Sequence, residues 1–216
     1  MIRRNVPVAL ARFIHTVLPV AAMSLKRILI VNGHPDPSPE RLSSALANAY
    51  QEGATSAGHD VRKMDVGTVN LPCLRTAAEF LQPAAEKPVM EAQAAFLSAD
   101  HLLFIYPLWL GGPPALLKAF MERLACGHFL LREGKGSFPR GALKGRSARV
   151  IVTLGMPPLL YRTVFGAHGV KAFNRSILKI SGIAPVRTSY FGGSAIMAPR
   201  SSRLVQQLYE MGRRAA

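Results

Sequence analysis

Five short runs of apolar residues alternate along this chain with stretches of helical spacing. The runs are Lys26–Asn32, His59–Val66, His101–Tyr106, Ala148–Leu154 and Val186–Phe191, and the helical stretches are Leu42–Ala57, Val89–Ser98, Pro113–Ala125, Val170–Ile180 and Arg200–Arg213. Four of the runs are nearly continuous rather than alternating, as expected of strands buried on both faces. The second is more polar and suits a sheet edge. A strand–helix order of this kind predicts an α/β three-layer sandwich, a five-stranded parallel sheet with helices on both faces. The strand order 2-1-3-4-5 fits five such units. In it the chain reverses direction between strands 1 and 3, and ligands bind beyond the carboxyl ends of the strands at that reversal.

The loops that meet there are the least ordinary in the sequence. Gly33–Arg41 follows strand 1, Tyr106–Pro114 follows strand 3, and Gly155–Gly169 follows strand 4. The stretch from Tyr106 to Phe120 reads YPLWLGGPPALLKAF, in which Gly111 and Gly112 allow a close backbone approach to a ligand, and Pro113 and Pro114 suit a first helical turn. The first loop has neither G-x-G-x-x-G nor G-x-x-x-x-G-K-[ST], which excludes a dinucleotide fingerprint and a Walker phosphate loop. It leads instead into a helix N-terminus carrying Arg41, Ser43 and Ser44 near His34, where backbone N–H groups and a cation can hold a phosphate. Taken alone, the same residues describe a serine-capped helix beside a loop histidine. Val66–Lys87, rich in prolines, is expected to be a long excursion with one helical turn near Ala77–Leu81.

With 216 residues, 49% of them hydrophobic, the chain can bury one substantial core. Residues 25–216 are expected to form that single domain, and residues 1–24 an extension. The extension carries Arg3, Arg4 and Arg12, and its apolar run falls short of the ~20 residues a membrane span needs. It reads as a targeting peptide, an amphipathic surface helix or translation upstream of a start at Met23, the last being favoured because the first strand follows so closely. The two cysteines, Cys73 and Cys126, form no C-x-x-C pair, so neither a disulfide framework nor a four-cysteine zinc site is expected, and a reducing, cytoplasmic compartment is. The net charge of +15 raises the question of nucleic acid. Its densest part, Arg132–Arg149, is interrupted by glycines and lacks an aromatic ladder, so no nucleic-acid partner is expected, and neither is an integral membrane segment.

Three segments together resemble the NAD(P)H:quinone reductases of the flavodoxin-like superfamily: GHPDP after strand 1, YPLWLGGPPALLKAF after strand 3, and the V-T-L-G strand end followed by Tyr161 and His168. The resemblance runs from about Lys26 to about Met197. It implies a tightly held flavin, FMN or alternatively FAD, with NADPH or NADH as co-substrate, a homodimer with active sites at the interface, and two-electron reduction of quinones or related electrophiles. Carried onto this sequence, it implies that His34, Arg41, Leu42 and Ser43 hold the phosphate end. Pro107, Leu108, Trp109 and Leu110 would line the ring, and Thr153, Leu154 and Gly155 would contact its polar edge. Tyr161 and His168 would assist the reduction. The chain departs from the family where Trp109-Leu110-Gly111 replaces a glutamine and an aromatic pair. Arg41 stands where a serine is usual, and the interval from Tyr161 to His168 is a residue longer. The cofactor carries out such chemistry, so loop shape outweighs particular side chains. Two other classes stay open at this level: a flavodoxin-like electron carrier, and a regulatory subunit of the kind ancillary to potassium efflux systems.

Overall fold

The computed structural model describes residues 24–132, 140–196 and 200–216. Five parallel strands, β1 (Arg27–Asn32), β2 (Asp60–Asp65), β3 (His101–Pro107), β6 (Ser147–Leu154) and β7 (Val186–Gly192), lie in the order β2-β1-β3-β6-β7. A two-residue antiparallel pair, β4 (Leu131–Arg132) and β5 (Arg140–Gly141), stands apart from them. The predicted 2-1-3-4-5 order is therefore present, with the polar second strand at the edge.

The continuous apolar runs are explained by two cores. Along β1, Leu29 and Val31 join the larger core, whereas Ile28 and Ile30 join the other, and β3 divides Leu102, Phe104 and Tyr106 from Leu103 and Ile105 in the same way. Side chains alternate across a strand, so a strand covered on both sides is apolar at nearly every position. The smaller core is closed by α1 (Leu42–Ser56) and α7 (Arg200–Arg213), through Leu46, Ala47, Tyr50, Leu204 and Leu208. The larger is closed by α3 (Lys87–Ser98), α4 (Ala115–Ala125) and α6 (His168–Ala172), with Phe96, Phe120, Met121 and Val170 among its buried members.

Several elements differ from the sequence expectation. The third long helix starts at Ala115 rather than Pro113, because Pro114 is in an extended conformation at its N-cap. The loop after β6 contains a short helix, α5 (Pro158–Thr163), with proline in the first turn. The helix expected from Val170 begins at His168 and widens into π-type turns over Phe173–Lys179. The helical turn α2 (Ala77–Leu81) falls where it is expected. The excursion around it is fastened by Arg123 of α4, which donates to the Pro72 carbonyl at 2.8 Å and pairs with Glu86 at 3.1 Å and Glu79 at 3.6 Å. The N-terminal extension lies outside the described residues except for Ser24, and so do Glu133 and Lys135 of the basic stretch.

At the end of the sheet where β1 starts, the buried His59 ties both ends of the domain together. Its Nδ1 accepts from the Lys26 backbone N–H at 3.2 Å and its Nε2 lies 3.3 Å from the Arg213 carbonyl, while Lys26 Nζ donates to the Ala215 carbonyl at 3.1 Å.

Candidate active site

The carboxyl ends of β1, β3 and β6 carry the three loops singled out above, and backbone hydrogen bonds hold them in register. Gly33 N–H donates to the Ile105 carbonyl at 2.8 Å, and Leu108 N–H to the Thr153 carbonyl at 2.7 Å. Pro107, Leu108, Thr153 and Leu154 thus lie side by side on adjacent strand ends, with Thr153 and Leu154 buried and Gly155 exposed with open space where a Cβ would stand.

The first loop is organised by Asn32, which the sequence reading passed over; a polar residue closing an apolar strand was the available signal. Its buried amide donates to Asp65 at 2.8 Å and to Ser44 Oγ at 3.3 Å, and its Oδ1 accepts from His34 N–H at 3.4 Å. His34 Nδ1 accepts from the Asp36 N–H at 3.0 Å, which in the neutral ring leaves Nε2 as the donor. The ring meets Trp109 edge-on, 6.0 Å between centroids, so loops one and three touch. Arg41 is the N-cap of α1 and makes no side-chain cap. Its guanidinium is instead committed to Asp36 at 2.6 Å, a contact that, after the Ser38 N–H, holds the Asp36 carboxyl below its ordinary range. Leu42 is half-buried at the first helical position, and Ser43 beside it is buried with its Oγ lacking any hydrogen-bond partner. A buried hydroxyl without a partner is unfavourable, and here it stands among the first-turn N–H groups that an α-helix leaves unpaired.

The loop after β3 doubles back on itself. Trp109 and Gly112 exchange both backbone hydrogen bonds at 3.0 Å, and Leu110 and Gly111 between them have φ of 46° and 81°. Two successive positive φ values are the mark of a type I′ turn, a conformation unfavourable for leucine, and the Leu110 side chain is left fully exposed at its tip.

The loop after β6 packs onto this turn. The buried Tyr161 of α5 donates its hydroxyl to the Gly111 carbonyl at 2.8 Å. Burial raises its pKa, partly opposed by the Val170 N–H. Gly169 is a glycine of necessity, because a Cβ there would stand 2.1 Å from the Gly111 carbonyl oxygen. Ala167 N–H returns to the Tyr161 carbonyl at 3.2 Å, after which His168 begins α6 with its side chain exposed and its ring against Gly166. Two further tyrosines surround this junction. Tyr190 of β7 lies 6.0 Å from the Tyr161 ring, and Tyr106, raised by burial, has a hydroxyl with no partner. The site residues read from the sequence therefore gather at one end of the sheet, with the Tyr161 hydroxyl directed to the backbone of the neighbouring turn.

A parallel sheet in this order, bearing three interlocked loops at the reversal point, defines a flavodoxin-like protein, a fold class that takes its ligands in the crevice at that reversal. The chain belongs to the Flavodoxin_2 family, described as a flavodoxin-like fold, whose model matches residues 26–214. The human ribosyldihydronicotinamide dehydrogenase [quinone] is 26% identical over 200 residues, spanning 83% of this chain and 82% of that protein. An FMN-dependent NADH:quinone oxidoreductase 2 from Listeria innocua is 26% identical over 187 residues, spanning 78% of this chain and 88% of its own length. Among solved structures, Smu.1420 from Streptococcus mutans superposes with a TM-score of 0.72 at 25% identity, covering 87% of this chain and 98% of that one. The named relatives are thus of the class that the three sequence segments resemble.

Proposed function

We propose that this chain is a flavin-dependent NAD(P)H oxidoreductase that reduces quinones or similar electrophiles, with FMN as its cofactor. The observation that carries the reading is the Ser43 hydroxyl, buried without a partner at the uncapped start of α1 and at the sheet's reversal point. A phosphate there would accept from that hydroxyl and from the first-turn N–H groups, which is the donor set an FMN phosphate requires. His34 Nε2 is a further donor in the loop that leads into α1. The names of the quinone-acting relatives support the same class.

When bound, the flavin supplies the two-electron exchange between nicotinamide and acceptor; the chain supplies position and charge. Pro107 to Leu110 offer backbone and an apolar tip to the ring, and Thr153 to Gly155 offer backbone groups to its polar edge. His168, exposed at the start of α6, is the group free to donate a hydrogen bond or a proton. Tyr161 acts at one remove, by holding the Gly111 carbonyl and with it the turn.

An apolar cavity of about 520 Å³ lies outside this cleft, on the flank formed by α2, α4 and the π-type turns, and Phe80, Met121, Leu130, Leu131, Ile177 and Ile180 are among its lining. We assign it to a homodimer interface, which sedimentation at graded concentrations would reveal. Cys73 and Cys126 are both unpaired, in keeping with a cytoplasmic protein. Residues 1–24 are proposed to stand outside the flavin-binding domain, so that removing the first 22 leaves flavin content unchanged. The decisive experiment for the function is the absorption spectrum of the purified protein under anaerobic titration with NADPH and NADH. A flavin spectrum bleached by either is expected. Protein that carries a flavin but does not respond would be an electron carrier, and protein with no affinity for FMN would overturn the reading.

A further inference from the structure

The strand β6 carries one charge inside its apolar run. Arg149 stands there between two neighbouring strands, opposite Leu103 of β3 and Arg187 of β7. Ile151, two residues on, belongs to the smaller core, so Arg149 points to the face that α7 covers. Its Nη1 donates to Ser189 Oγ at 3.0 Å, which puts Arg187, two residues before Ser189 on β7, on that face as well. Two guanidinium side chains thus start from adjacent strands, whose backbones lie about 4.8 Å apart. Like charges placed side by side in a sheet are destabilising unless an anion meets them.

The groups around Arg149 are short of partners. Its side chain is half-buried and its Nε is buried with no hydrogen bond, and burial lowers its pKa, with Tyr50 opposing and Arg187 adding to the effect. The Tyr50 hydroxyl and His101 Nε2 are also buried without partners, and both feel the Arg149 charge. A cavity of about 520 Å³ opens over this guanidinium, on the outer side of α7. Arg203, Gln207, Glu210 and Arg214 line it at intervals of four, three and four residues, the spacing of one helix face, with Gln206 beside them. Arg187, Arg203 and Arg214 are exposed, and none of the four arginines forms an ion pair among the described residues. Glu210 is turned to Arg213 at 3.8 Å and accepts from Gln206 at 3.5 Å, and Ala216, whose carboxylate is also at the cavity, pairs with none of them.

We propose that this cavity is a second anion site, which takes the phosphate chain of pyrophosphate or of a nucleoside di- or triphosphate. Guanidinium forks hold phosphate oxygens in pairs, and several cations around one recess call for an anion of several charges. The half-buried Arg149 is within reach of a small ligand rather than of a nucleic-acid backbone, and no aromatic side chain lines the recess to stack successive bases. Arg149 lies five positions before Leu154, about 16 Å along the strand from the cleft, and the site requires nothing of the function proposed above.

The experiment is calorimetric titration of the full-length protein with pyrophosphate, ADP and inorganic phosphate. Pyrophosphate and ADP are expected to bind at least about tenfold more tightly than inorganic phosphate, and to weaken about tenfold between low and high salt. The double variant Arg203→Ser, Arg214→Ser should lose at least about tenfold in pyrophosphate affinity with an unchanged circular dichroism spectrum, since both side chains are exposed. Arg149→Met should lose as much, yet leave the ligand-free protein as stable as the wild type or more so, because an unpaired, half-buried charge gives way to an apolar chain. Ser43→Ala should bind pyrophosphate as the wild type does. Equal affinity for pyrophosphate and ADP would mean that the phosphate chain alone is read, and tighter binding of ADP that the nucleoside is read too; either supports the site. Absence of binding to both overturns it, as does a double variant that binds like the wild type, and so does retention of RNA without pyrophosphate. A Ser43→Ala variant that loses pyrophosphate would put the ligand at the start of α1, and an Arg149→Met variant that is less stable without ligand would make Arg149 a structural residue; each of these also overturns the proposal.

Discussion

The Tyr161 hydroxyl donates to the Gly111 carbonyl across 2.8 Å, joining the loop after β6 to the turn after β3 through one part-buried hydrogen bond. Its loss would leave a half-buried carbonyl without its partner. Tyr161→Phe should therefore cost about 1 kcal/mol, a drop in Tm of roughly 2–4 °C for a chain of this size, without displacing flavin. His168→Ala should leave Tm unchanged, since the side chain is exposed, but slow anaerobic flavin reduction by at least about tenfold. Stopped-flow reduction at the wild-type rate in His168→Ala would remove that residue from the chemistry.

Ser43 and Arg41 should differ in how much they contribute to holding the cofactor. Ser43→Ala removes a buried hydroxyl that has no partner, so the flavin-free protein should be as stable as the wild type or more so by about 1 kcal/mol. The same change should weaken flavin retention about tenfold. Arg41→Ala should weaken it less, about threefold or below, because its guanidinium is already engaged with Asp36. Fluorescence titration of the flavin-free variants checks both, and equal losses would mean that Arg41 releases Asp36 to reach the phosphate.

Acid should destabilise the protein through His101. This residue is buried at the start of β3, with Nδ1 2.7 Å from Ser147 Oγ and Nε2 without a partner. Burial first, then nearby Lys26, Arg149 and Arg187, push its pKa down to about 3 from an ordinary 6.5. Below pH 6.5 the unfolded chain binds a proton that the folded one refuses. Stability should then rise with pH between about 3 and 6.5, by up to ~1.4 kcal/mol per unit from this group. The double variant His101→Leu, Ser147→Ala should flatten that part of a denaturation profile, and an unaltered slope would assign it to other groups.

Arg123 should matter more than a surface arginine. Its side chain is only 11% exposed, and it serves Glu79, Glu86 and the Pro72 carbonyl at once. Arg123→Ala is expected to cost about 1.5–3 kcal/mol and to open residues 69–87 to limited proteolysis. Cleavage elsewhere first would show that the excursion is held by its other contacts.

The sheet was legible in the sequence because burial on both faces leaves few polar residues to confuse a strand: β3 and β6 were found within a residue or two. The site was legible as loops, since strand order alone places Gly33–Arg41 beside Tyr106–Pro114. What escaped was side-chain direction. Nothing in the spacing of Arg41 and Asp36 fixes their pairing, and nothing in the residues around Tyr161 shows that its hydroxyl turns to Gly111. The helix α5 escaped because six residues with prolines before them carry too short a pattern to distinguish from a loop. The type I′ turn escaped for a different reason: Leu110 occupies a conformation that leucine avoids, so its local preference pointed the wrong way.

The closure at His59 and Lys26 has a practical consequence. The first and last residues of the folded domain sit within one side chain of each other, 3.1 Å from Lys26 Nζ to the Ala215 carbonyl, at the end of the sheet opposite the cleft. A linker of a few residues would join Ala216 to Lys26 and yield a circular permutant, and a tether fixed at the carboxyl terminus would hold the protein on a solid support with its cleft turned outward.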